Sequence, residues 1–127
     1  MAASPVFAVT PRIGSVSIST AESSYTAPTN VGTALTAGSS GTRINEIVVK
    51  CAATSAAAIV RIFLYDGTTY WLFDEVTVAA ATGSATVQQT RVSTTYNNLI
   101  LPSSSWSVRV TTSVSQATHV TALGADL

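Results

Sequence analysis

Apolar and polar residues alternate along most of this chain, and no stretch repeats them at the spacing of a helix. Trp106, Val108 and Val110 alternate with Ser107, Arg109 and Thr111, the period of a strand with one buried face. Residues 43–52 behave alike, with Ile47, Val49 and Cys51 on one face. Ile44 falls out of phase with them, which predicts a bulge near Asn45 and Glu46. Residues 58–65 are apolar on both faces apart from Arg61. Asp66-Gly67-Thr68-Thr69 then supplies a tight turn, because Asp-Gly readily adopts the positive φ that a short hairpin needs. Residues 70–78 return antiparallel.

Further strands are expected at residues 13–18, 85–92, 99–101, 106–112 and 118–123, with a short one around 31–35. Residues 79–84, Asn97-Asn98 and the Pro102-Ser103-Ser104-Ser105 stretch read as turns between them. Short strands punctuated this regularly predict an all-β fold, a two-sheet jelly-roll-like antiparallel sandwich of about eight strands. Pro5 and Pro11 mark residues 1–12 as an extended N-terminal arm, since proline cannot donate to a ladder. Residues 13–127 read as a single β-sandwich domain, without internal repeats.

Composition agrees with the pattern. Val, Ile, Thr, Phe, Tyr and Trp total 51 residues, against 20 for Glu, Lys, Gln, Arg, Met and Leu, which favours strands over helices. Charge changes the picture more. Charged residues are 9% of the chain and the formal net charge is zero, where ordinary domains carry about 25%. Ser and Thr supply 37 residues, so the surface is mostly neutral hydroxyl. So little charge gives weak repulsion between copies and points to a surface that meets other protein. A phosphate-tracking role is disfavoured, because Lys50 is the one lysine and the five arginines are scattered. No nucleic-acid partner is expected. No membrane partner is expected either, as no apolar run approaches a span. The N-terminus lacks the basic and apolar regions of a secretory signal, so a soluble chain made in the cytoplasm is the expectation.

Candidate chemistry is sparse. His119 is the single histidine and Cys51 the single cysteine, so neither a zinc motif nor an intrachain disulfide is expected. Cys51 reads as a buried strand thiol. His119 could formally join one of many serines and an aspartate, but no Gly-x-Ser-x-Gly elbow accompanies it; it reads as a strand-face residue. Gly38-Ser39-Ser40-Gly41 lacks the lysine and helix of a phosphate loop. Asp74 and Glu75 are adjacent on a strand and point to opposite faces, which disfavours a paired-acid hydrolase. No catalytic residue, cofactor or metal is expected. Tyr65, Tyr70, Trp71 and Phe73 gather around one hairpin, and core, protein interface and ligand platform all remain open for them. With Trp71 and Phe73 on one face and Tyr70 and Leu72 on the other, either the hairpin is central or a second subunit covers one face.

Three segments carry a resemblance. Gly41 to Val49 reads Gly-x-Arg-Ile-x-x-Ile-x-Val, and Val60-Arg61-Ile62-Phe63-Leu64-Tyr65-Asp66-Gly67 follows. After a Trp-containing return strand come Leu99-x-Leu101-Pro102 and the terminal Ala122-Leu123-Gly124-Ala125-Asp126-Leu127. Over about residues 41–127 the chain resembles small virion proteins of tailed bacteriophages. In size and build it is most similar to jelly-roll capsid decoration, or cement, proteins. The resemblance implies a structural virion protein, not an enzyme, on the outside of a capsid. Its partners would be the major capsid protein and itself, as a homodimer or homotrimer, and its location the capsid surface after synthesis in the bacterial host. The expected interface comprises Pro5, Val6, Phe7, Val9 and Pro11 of the arm, adding main-chain hydrogen bonds to a neighbour, and Tyr70, Trp71 and Phe73 of the hairpin. Alternatives are another virion part (head fibre or spike, tail component or shell-forming coat) or a carbohydrate-binding sandwich using Tyr70, Trp71 or Trp106.

Overall fold

A computed structural model describes residues 10–127. The described residues form eight strands: β1 (Thr10–Ile18), β2 (Gly32–Thr36), β3 (Thr42–Cys51), β4 (Ala58–Tyr65), β5 (Tyr70–Val78), β6 (Arg91–Leu101), β7 (Ser107–Thr112) and β8 (Thr118–Asp126). Sheet A has the order β1-β8-β3-β6 and sheet B the order β2-β7-β4-β5. All strand pairs within the sheets are antiparallel. Only β4 and β5 are consecutive strands of one sheet; every other link crosses from one sheet to the other. That double Greek-key path is the jelly roll.

The alternation dictates the layers. Ile44, Ile47, Val49, Cys51, Val120 and Ala122 of sheet A face Val60, Ile62, Val76, Val78, Val108 and Val110 of sheet B, all buried. The expected bulge in β3 is present: Ile44 pairs with Gly124 and Glu46 with Leu123, so Asn45 is the extra residue against β8. The bulge lets Ile44 and Ile47 both point inward despite their odd spacing. It also brings the backbones close, and a Cβ at Gly124 would run into the Arg43 carbonyl and the Ile44 Cα. Gly124→Val should therefore cost about 2 kcal/mol or more, read as a lowered urea midpoint. A midpoint equal to that of the parent protein would contradict this packing.

Several expectations need correction. Residues 85–90 are not strand; they belong to the β5–β6 connection, and the strand is a single long β6. Asn97-Asn98 is not a turn but lies within β6, where β6 spends two more residues than β3 between the Leu99–Ile44 and Thr95–Glu46 pairs. The β4–β5 hairpin is not central as a unit, since β5 is an edge strand. At the other edge Thr10, Pro11 and Arg12, read as part of the arm, are in β1, paired with Asp126, Ala125 and Gly124; the rest of the arm lies outside the described residues.

Arg12 fastens that edge. Its guanidinium donates to both Asp126 carboxylate oxygens, at 2.9 and 3.0 Å, and to the Thr36 carbonyl at 2.9 Å. The buried Thr42 hydroxyl donates to Asp126 at 2.6 Å and accepts the Gly38 amide. The Thr42 hydrogen bond, with help from Arg12, lowers the Asp126 pKa from its ordinary value. One carboxylate thus ties β1, β3 and β8 to the end of β2.

Candidate protein-docking surface

The β4–β5 hairpin is preset by its turn. Asp66 Oδ1 accepts the amides of Thr68 and Thr69 at 2.9 and 2.8 Å and the Thr68 hydroxyl at 3.0 Å. Gly67 takes φ 104°, a left-handed value that a glycine adopts without strain. Asp66 Oδ2 accepts the Trp71 indole N–H at 3.2 Å. The amides of Thr69 and Thr68, then Trp71, hold the Asp66 carboxyl well below the usual carboxylate range.

Beyond the turn, β5 departs from simple alternation. Phe63 pairs with Leu72 and Ile62 with Asp74, leaving Phe73 as the extra residue of a bulge. Three consecutive large apolar residues on this edge strand are exposed: Trp71 at 54%, Leu72 at 39% and Phe73 at 42%. The Phe73 ring lies 5.4 Å from that of Tyr96 on β6, and Tyr96 donates its hydroxyl to Asp74 at 2.8 Å. Burial, then Asp74, pushes the Tyr96 phenol pKa up. This pair closes the sandwich between its two edge strands, opposite the Arg12 fastening. The apolar run is thus held on a framed, stiff edge.

The outer face of sheet B stiffens it further. Phe63 is fully buried there, outside the inter-sheet core. Tyr70 meets it edge-on, with ring centroids 5.9 Å apart at 86°, and lies 4.3 Å from the Tyr65 ring. Arg109 caps Tyr65 at 4.5 Å and donates to Ser107 at 2.9 Å. Arg61, 8% exposed, packs over the Tyr25 ring at 4.3 Å and donates to the Tyr25 hydroxyl at 3.1 Å and the Glu22 carbonyl at 3.3 Å. Glu75 stands 3.7 Å from Arg61 Nε.

Glu22 organises the β1–β2 connection that covers Arg61. Its carboxylate accepts the amides of Thr29 at 2.6 Å, Asn30 at 2.8 Å, Ser23 at 3.1 Å and Ser24 at 3.2 Å. The Asn30 and Thr29 amides are the main reason its pKa falls from 4.5 to about 2. Because the folded value is depressed, the stabilisation is complete above pH 4.5 and disappears as pH falls toward about 2. Glu22→Gln should therefore be less stable than the parent at neutral pH, with the gap closing through that acid window. Urea midpoints measured across the window test this, and a gap independent of pH would contradict it.

The expected interface residues divide. Trp71 and Phe73 lie together on the exposed β5 edge, whereas Tyr70 is partly buried in the outer-face cluster. Pro11 is exposed on β1, at the opposite edge of the sandwich, and the structure does not bring it near the hairpin. Pro5, Val6, Phe7 and Val9 lie outside the described residues. Leu72 and Tyr96 belong to the surface but were not named among its residues; Leu72 pairs with Phe63 and lies on the outer face with Tyr70, as alternation predicts, and the extra residue of the bulge is Phe73. Trp106 packs partly buried against the core. His119 is exposed on β8, and Cys51 is buried as expected. Asp74 and Glu75 do point apart, to Tyr96 and to Arg61. Among the described residues no group of His, Cys, Asp and Glu is placed to hold a metal ion. An open depression of about 520 Å³ between β1 and β2 is lined by Ser, Thr, Asn, Gly, Val and Ile alone, without a group that could move a proton.

No protein-family model matches the chain, and no curated protein matches it in sequence.

Proposed function

We propose that the chain is a structural protein of a bacteriophage virion that binds the outside of the capsid and cements neighbouring major capsid proteins. The observation that carries the reading is the exposed Trp71-Leu72-Phe73 run on the edge strand of a jelly roll. Contiguous aromatic and aliphatic surface on a rigid frame is what a protein-binding hot spot needs. The free edge of β5 can also accept main-chain hydrogen bonds from an extended partner segment. Trp71 is already oriented by Asp66, so little rotamer freedom is lost on docking.

The decisive test is composition of particles. Purified virions of the encoding phage should contain the chain in many copies. Particles made without it should keep their shell and take the purified chain back onto it. Absence from virions, or loss of the shell itself, would overturn the cement role. A chain lacking residues 2–9, which stops short of β1, should fold normally and bind capsids more weakly. Unchanged occupancy would remove the arm from the mechanism.

One observation favours a second reading, a carbohydrate-binding sandwich. Trp71 is exposed while its indole N–H is fixed to a carboxylate, an arrangement that also suits stacking on a sugar ring. Titration with oligosaccharides containing galactose or N-acetylglucosamine, followed by tryptophan fluorescence, separates the two. Saturable quenching that disappears in Trp71→Phe would favour the sugar.

A further inference from the structure

Sheet A presents an outer face whose composition is legible from its register. Ser17, His119, Lys50 and Arg91 stand side by side across β1, β8, β3 and β6. Like charges directly opposite one another weaken a sheet, yet Lys50 faces Arg91 on one side and His119 on the other. In a chain with six cations, this row is a concentration of positive charge with no carboxylate in it. One row away on the same face Val48 adds apolar surface, and two rows away Leu123 and Ile13, the latter 67% exposed, stand in the row of Glu46.

The charges divide between the two sides of the sandwich. The outer face of sheet A holds Arg43, Lys50 and Arg91 against Glu46 alone. Sheet B, with its hairpin and the connection over it, holds Glu22, Asp66, Asp74 and Glu75 against Arg61 and Arg109. Arg12 and Asp126 neutralise each other at the edge. A chain of zero net charge is therefore polarised, with a net positive face on sheet A and an equal net negative side around β5.

We infer that the outer face of sheet A receives the β4–β5 hairpin side of a second copy of this chain, in a head-to-tail contact. The basic row of one copy meets the carboxylates on the hairpin side of the next. Such a heterologous contact closes into a ring or continues as an open chain. It deepens the virion reading and rests on it, with the carboxylates around β5 turned to the next copy and Trp71 and Phe73 left to the capsid.

Light scattering after size exclusion tests it on the whole protein. At about 30 mM salt the mass should exceed that of one chain, and at about 500 mM it should fall back, since screening weakens exposed charge pairs. Lys50→Glu with Arg91→Glu should be monomeric at low salt while keeping its circular dichroism; Lys50→Gln with Arg91→Gln gives the same readout if the reversal fails to fold. Mixed with the parent chain, the charge-reversed variant should shorten its assemblies, because it keeps a hairpin side but no receptor face. A monomer at low salt, a mass indifferent to salt, or parental assembly by the variants would each overturn the contact. Presence of the chain in virions is measured separately and is not decided by these outcomes.

Discussion

Replacing Phe63 by alanine should destabilise the domain by about 3–5 kcal/mol, the range for deleting a fully buried aromatic ring. Phe63 is 0% exposed although it points away from the inter-sheet core. Its ring is enclosed on the outer face of sheet B, where Tyr70 stands edge-on to it. Domains of this size have about 5–15 kcal/mol to lose, so a large part of the population should unfold on mild heating. Urea unfolding monitored by circular dichroism measures the loss. A cost near 1 kcal/mol would mean that the outer cluster is loosely packed and that the β5 edge lacks the stiff backing described above. Phe63→Leu keeps much of the volume and should cost about 1.5 kcal/mol or less.

The opposite balance is expected at the exposed edge. Trp71→Ala and Phe73→Ala should each weaken docking by about 2 kcal/mol, close to 30-fold. Their stability should change far less than that of Phe63→Ala, because half or more of each side chain already faces water or the Tyr96 ring. Equilibrium binding to capsids and urea midpoints, measured on the same preparations, separate the two effects. A variant that loses stability and binding in parallel would show that Trp71 and Phe73 act through the fold and not at the partner.

Strand content was legible because apolar and polar residues alternate in β3 and β7, and the Ile44 phase break marked the β3 bulge. What misled in β6 was local chemistry. Asn97-Asn98 has the residues of a turn, but there β6 carries two residues more than its partner β3, and only the partner reveals the difference. The site was half legible. Trp71 and Phe73 stood out as large apolar residues near a turn, and alternation set Leu72 on the other face with Tyr70, where its partner Phe63 lies. The bulge at Phe73 was not legible, because it depends on where Leu72 and Asp74 find their partners. The burial of Arg61 escaped the sequence for a similar reason: the connection that covers it, through Glu22 and Tyr25, comes from a segment nearly forty residues earlier in the chain.

The most direct measurement is co-sedimentation with capsids of the encoding phage that lack this chain, using the parent protein and the Trp71→Ala, Phe73→Ala double variant. The parent should pellet with the capsids to a fixed stoichiometry, and the folded double variant should stay in the supernatant. A parent that stays in the supernatant, or a double variant that pellets equally well, would contradict capsid docking through the β5 edge.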